Sequence, residues 1–321
     1  MTGLPRYREL PRDEHGAPLA WGLWGQDDDL GLMNLLTPEK AIEGARAVRT
    51  GAVFPFDIPL GTIEPAFFGR GRTEHITEGH LGATEEEPSL GLDDKLDNYY
   101  LQSASQWDSL GHVGVAFDRY WNGRTTREVR GGRNTIDHIA AHGIATRGVL
   151  LDVSARIADQ GGPGESIPIT ADDLEAARVR AGVEIRPGDV LVLHTGYLEW
   201  YAEQPRAVRE QQADGERITT TGLAHEEAVA EYLWDLHVAA IASDGVAAEV
   251  WPIETGPGVS PFGFMHQVLI GGLGMMLGEL WRTGPLARAC ASDGVHEFLL
   301  TAAPLPVPRG IGSPANAIAI R

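Results

Sequence analysis

The chain has 321 residues, 43% of them hydrophobic, with 45 acidic against 26 basic side chains and a formal net charge of −19. That length and apolar fraction suffice to bury a substantial core, while so acidic a surface repels nucleic-acid phosphates and anionic lipid, so neither is an expected partner. The single cysteine, Cys290, excludes an intrachain disulfide and a cysteine-rich zinc site; with no apolar N-terminal core and no membrane-length apolar run, a cytoplasmic protein is expected.

Residues 1 to about 50 read as an N-terminal arm. It holds an aromatic, acidic loop with Trp21 and Trp24, then a helix beginning at Thr37-Pro38, with the threonine as N-cap and the proline at the first position. Ala52 to Leu60 reads as a strand. The polar, Gly-rich stretch from Gly61 to Glu87 reads as a long loop; its His75 and His80 are expected in solvent, with a pocket-facing position as the alternative. A polar motif (Gln102 to His112) and an aromatic turn (Asp118 to Gly123) follow. Next come a helix over Asn134 to His142, a strand at Val149 to Val153, a Gly-rich linker over Ala158 to Pro168 and a helix capped by Thr170. Val190 to Leu193 is a continuous apolar run suited to a buried strand. An amphipathic helix over Glu226 to Leu236 and a strand over Val238 to Ser243 come after it, and Asp244-Gly245 reads as a turn. A helix from about His266 to Glu279, a helical pattern around Cys290 and a terminal β segment close the chain. The order predicts a mixed α/β protein in which 1–321 form one domain. H-E-x-x-H, G-x-S-x-G, P-loop and dinucleotide patterns are missing, which argues against zincin, serine-nucleophile, nucleotide and hydride chemistry.

The most informative run is Q-S-A-S-Q-W-D-S-L-G-H, from Gln102 to His112. Its polar side chains, Gln102, Gln106, Asp108 and His112, are separated by small residues that let a ligand approach the backbone, as a metal or small-molecule site requires. Trp107, Tyr120 and Trp24 are candidate walls for a planar substrate, with ordinary core packing as the plainer alternative.

This run resembles the motif H-x-G-T-H-x-D-x-P-x-H of the cyclase family that includes bacterial kynurenine formamidases and isatin hydrolase. The resemblance extends to Trp24–Leu36, Gly148–Ser154, Pro187–Tyr197, Met265–Glu279 and Pro304–Ile320, the last looking like the family's C-terminal strand pair. It implies a swivelling β/β/α fold with a central mixed sheet flanked by helices. Gln102 and Gln106 fall on the family's two leading histidines, whereas Asp108 and His112 keep the family's residue types. Of the two metal positions in the family, the first is therefore eroded. The second, matched by Asp108, His112, His266 and Glu279, is intact. The resemblance thus implies one divalent metal, zinc or manganese, with a metal-free site as the alternative. Asp108, His112 and His266 are the implied catalytic residues, one histidine as ligand and the other as proton carrier. Gln102 and Gln106 are left to bind substrate. Glu279 follows His266 by thirteen residues, which at about 100° per residue does not return to the same face of a straight helix; an irregularity at Gly271, Gly272 or Gly274 is one remedy. The implied function is a metal-assisted hydrolase of an amide, lactam or lactone bond in a small cyclic or aromatic acid. The alternatives are a metal-independent cyclase, dehydratase or isomerase using Asp108 and His112 as a proton-transfer pair, and a binding protein without catalysis. A homo-oligomer, dimer or tetramer, is implied.

Overall fold

A computed structural model describes residues 3–79, 90–256 and 258–321. Its strands, in chain order, are β1 (Val53–Pro55), β2 (Glu74–Gly79), β3 (Leu92–Asp97), β4 (Gln106–Asp108), β5 (Ile144–Asp152), β6 (Pro168–Ile169), β7 (Val190–His194), β8 (Gly222–Leu223), β9 (Ala240–Ser243), β10 (Met276–Glu279), β11 (Glu297–Ala302), β12 (Gly312–Pro314) and β13 (Ala317–Ile320). Nine of them form one sheet in the order β1-β13-β11-β5-β7-β9-β10-β4-β12. The neighbours β5, β7, β9 and β10 run parallel. Their apolar residues are buried on both faces, as a parallel sheet covered by helices demands.

The sheet cannot be flat. β12 sits at one edge and β13 beside the other, yet only Ala315 and Asn316 separate them. With about 3.8 Å between successive Cα atoms and about 4.8 Å between strands, so short a link closes only if the sheet curls until its edges meet. Ser105 fastens that seam. Its hydroxyl lies 2.5 Å from the Leu280 carbonyl and accepts from the Ile58 N–H at 2.9 Å. Its own carbonyl accepts from Ala315 N–H at 2.9 Å. The mixed sheet flanked by helices is the architecture expected from the sequence.

Thr37 stands before its helix as expected but makes no side-chain capping bond. Helices run over Pro38–Arg46, Ile136–His142, Glu227–Asp235 and Gly284–Asp293, the last burying Cys290. Thr170 caps Ala171–Ala181 in a reciprocal box with Asp173. The N-terminal arm lies against this body: Tyr7 is fully buried, and Trp234 Nε1 donates to Pro5 O at 2.9 Å. No helix among the described residues is long and apolar enough to cross a membrane.

Four expectations need correction. The stretch taken as a loop from Gly61 contains β2, which pairs antiparallel with β3; His75 is exposed there, 2.9 Å from Asp94 Oδ2, and His80 lies outside the described residues. The linker over Ala158 to Pro168 overlaps the end of a helix, Ser154–Asp159, and the start of β6. The strands in Pro304–Ile320 do not pair with each other: β12 joins β4, and β13 joins β1 and β11. The segment from His266 to Glu279 is not one helix, and that difference builds the site.

Candidate metal and active site

Alternation along β4 sends Gln106 and Asp108 to one side of the sheet and Trp107 to the other. Trp107 has no accessible surface and packs edge-on against Trp281, with ring centroids 4.7 Å apart. It is a core residue, which corrects its assignment as a substrate wall. On the opposite face, the β4–β10 register sets Gln106 beside Glu279 and Asp108 beside Leu277.

His266 stands at the start of a π-helical turn, Gln267–Gly272, after which Gly274, at φ +69°, redirects the chain into β10. Close approach explains the glycines. A Cβ on Gly271 would lie 2.2 Å from Val115 N, and one on Gly274 would lie 2.7 Å from the Trp121 ring. The arm satisfies carbonyls that this irregular turn leaves open: Trp21 Nε1 donates to Gly271 O at 2.8 Å, Ala20 N to Gly272 O at 2.9 Å and Leu32 N to Gly274 O at 2.8 Å. Glu279 therefore arrives on a strand, and the mismatch of helical faces does not arise.

The structure brings Asp108, His112, His266 and Glu279 together. His266 Nε2 is 3.2 Å from Glu279 Oε1 and 3.8 Å from Asp108 Oδ2. His112 Nε2 is 3.8 Å from Asp108 Oδ1, and the two imidazole centroids are 6.0 Å apart. The glutamines tie these groups down. Gln102 Nε2 lies 3.2 Å from both Asp108 Oδ1 and His112 Nδ1, and Gln106 Nε2 donates to Glu279 Oε2 at 2.7 Å. Arg70 in turn donates to the Gln102 carbonyl. Glu279 Oε1 also accepts from Ala248 N–H at 3.1 Å. Trp24 and Tyr120 are half-buried. Trp24 packs against Trp121, 6.3 Å between centroids, and Tyr120 bonds through its backbone to Arg124.

One residue of this cluster escaped the sequence reading. Glu249 is fully buried and sets both carboxylate oxygens 2.8 Å from His266 Nδ1. Its only sequence signal is that it is the lone charge in the apolar run from Val246 to Trp251, where a buried charge needs a partner.

The electrostatics follow from this crowding. Burial would raise the Asp108 carboxyl, but the charges of His112 and His266 and the bond from Gln102 outweigh it and hold the group at about 2. Burial, reinforced by the Asp108 charge, pushes Glu279 up to about 7. Burial also pushes His112 below the ordinary histidine value, against the pull of Asp108. For His266 burial works the same way, but Glu249, Asp108 and Glu279 overcome it and hold the imidazole well above its usual value. Positive charge on the His266 imidazole is thus favoured between Asp108 and Glu279.

The donor set fits a divalent ion. Ligand atoms of Asp108, His112 and His266 all lie within 4.8 Å of one another. Asp108 Oδ2 and Gln106 Oε1, both buried, have no hydrogen-bond partner among the described residues, as expected of an atom kept for a ligand. Two carboxylates and imidazole nitrogen suit zinc or manganese. A second group, His194, Glu199 and Asp244, is less suited: Asp244 already accepts from the N–H groups of Thr195, Gly196 and Tyr197.

Residues 59–250 match the sequence model of a family described as "Putative cyclase". A crystal structure of a novel cyclase is similar to the chain at 31% identity, covering 94% of this chain and 99% of that one, with a TM-score of 0.81. Isatin hydrolase A from Labrenzia aggregata, bound to benzyl benzoate, matches at 15% identity over 88% of this chain and 97% of that one, TM-score 0.61. Isatin hydrolase A from Ralstonia solanacearum matches at 18% identity with the same coverage and TM-score. These two show a shared fold. No curated protein matches the chain by sequence.

Proposed function

Because the chain belongs to the cyclase family, we propose that it is a metal-assisted hydrolase of an amide, lactam or lactone bond in a small cyclic or aromatic acid. One observation carries the reading: the buried Asp108 Oδ2, which has no hydrogen-bond partner among the described residues, and the buried Glu279 Oε1 both face His266 Nε2, at 3.8 and 3.2 Å. Asp108, His266 and Glu279 would hold one divalent ion, zinc or manganese, and that ion would supply Lewis-acid polarisation of a substrate carbonyl.

The histidines divide the remaining work. His266 is locked through Nδ1 by Glu249, which leaves Nε2 to the ligand position. His112 is the more accessible of the two, its side chain 25% exposed against 6% for His266. It carries the proton to the leaving group. Gln102 orients that ring through Nδ1. A reading without metal, in which Asp108 and His112 act as a hydrogen-bonded pair, would need them closer than 3.8 Å.

The test is metal content per chain on protein purified without chelator, with turnover on a panel of aromatic amides, lactams and lactones. About one ion per chain is expected, lost in Asp108→Asn and His266→Ala but kept in His112→Ala, which loses turnover. No stoichiometric metal after zinc and manganese have been supplied would overturn the reading.

A further inference from the structure

The orientation of His266 is imposed from behind by a carboxylate. The segment carrying Glu249 is fixed by backbone contacts before its side chain acts. Leu223 N donates to Ala248 O at 2.9 Å and Val250 N to Leu223 O at 3.0 Å, so the segment lies alongside β8. Gly222 lets it come close, since a Cβ there would be 2.2 Å from the Glu249 carbonyl carbon. From this position both Glu249 oxygens reach His266 Nδ1 at 2.8 Å, and the side chain has no other hydrogen-bond partner among the described residues. Phe264 covers one face of the imidazole, with centroids 5.1 Å apart and planes 26° from parallel. Ring position and ring rotation are thereby fixed by separate contacts.

A carboxylate at this distance accepts only from an Nδ1 that carries hydrogen. It therefore selects the form of His266 whose Nε2 faces Asp108 and Glu279, and it raises the basicity of that nitrogen. We propose that Glu249 is a positioning residue: it holds His266 in the orientation that binds a divalent cation and increases the cation's affinity, without touching cation or substrate itself. The inference rests on the metal reading above and adds to it a residue outside the ligand set.

The experiment measures zinc and manganese affinity by competition with a chromophoric chelator on the full chain, for the parent, Glu249→Gln and Glu249→Ala. It also records the ring-nitrogen NMR shifts of His266 in metal-free protein. The alanine variant is expected to bind about 10- to 100-fold more weakly and to lose the fixed protonation of Nδ1. The glutamine variant, whose side-chain oxygen still accepts from Nδ1, is expected to keep that NMR signature and fall between the other two in affinity. A merely space-filling Glu249 would give the opposite pattern: a changed melting temperature with affinity and Nδ1 protonation like the parent's. That result overturns the proposal. Misfolding of the alanine variant leaves the decision to the glutamine variant, where an affinity equal to the parent's is the overturning result. If the parent takes up no metal, the functional reading falls and the affinity claim with it. Under that outcome, loss of the Nδ1 signature in Glu249→Ala still shows that Glu249 orients the ring.

Discussion

Gln102 and Gln106 decide the character of the site through their amide nitrogens. Each points a donor at a group on the intact side, Gln102 at Asp108 and His112, Gln106 at Glu279. An amide N–H cannot ligate a cation, so the space beside Asp108 Oδ1 is closed to a second ion. The double variant Gln102→His/Gln106→His is accordingly expected to raise metal content from about one to about two ions per chain, read by elemental analysis; an unchanged stoichiometry would argue against this account. Glu279 sets the pH behaviour. Its carboxyl is raised from 4.5 to about 7 in the folded, metal-free protein, so between those values the folded state binds more protons than the unfolded one. The contribution of Glu279 to stability is then fully present below about 4.5 and is lost as pH rises toward 7. Thermal unfolding with chelator should show a melting temperature falling across that window, and Glu279→Gln should flatten the fall.

At the scale of elements, the π-helical turn and β10 take the place of a helix, and that exchange delivers His266 and Glu279 to one point. Gly271→Ala would drive a methyl carbon to 2.2 Å from Val115 N. Backbone must move to relieve this, at a cost of about 1–3 kcal/mol. The variant is expected to melt at lower temperature and to bind metal more weakly, because the turn carries His266. Tight metal binding in a destabilised Gly271→Ala protein would separate the turn from the site.

Across the whole molecule, the curl of the sheet brings the β12 edge round to β13 and closes the seam at Ser105. Ser105→Ala removes the hydroxyl that meets Leu280 O and Ile58 N and leaves those buried groups unpaired. A loss of about 1–3 kcal/mol is expected in denaturant unfolding, and an unchanged midpoint would show that the seam is held elsewhere. The β2–β3 pair forms a separate two-stranded sheet, with β3 exposed along its length and Leu92 67% exposed.

The elements visible in the sequence were those whose signal is local. Thr170 and Asp173 cap a helix within one turn, Val190 to Leu193 could satisfy its apolar side chains only in a buried strand, and the run from Gln102 to His112 carried four residues that meet in the cluster. What escaped depended on distant neighbours. Whether Met265 to Glu279 winds as one helix is decided by Val115 and Trp121 pressing on Gly271 and Gly274, and by arm residues such as Trp21 that cap its carbonyls. Trp107 is core because Trp281 lies behind it. Glu249 meets His266 only because β8 holds its backbone in place. Sequence by itself determined which side chains were available to the site and which family they resemble. Tertiary structure alone decided how they face one another, because the contacts that orient them join residues far apart in the chain.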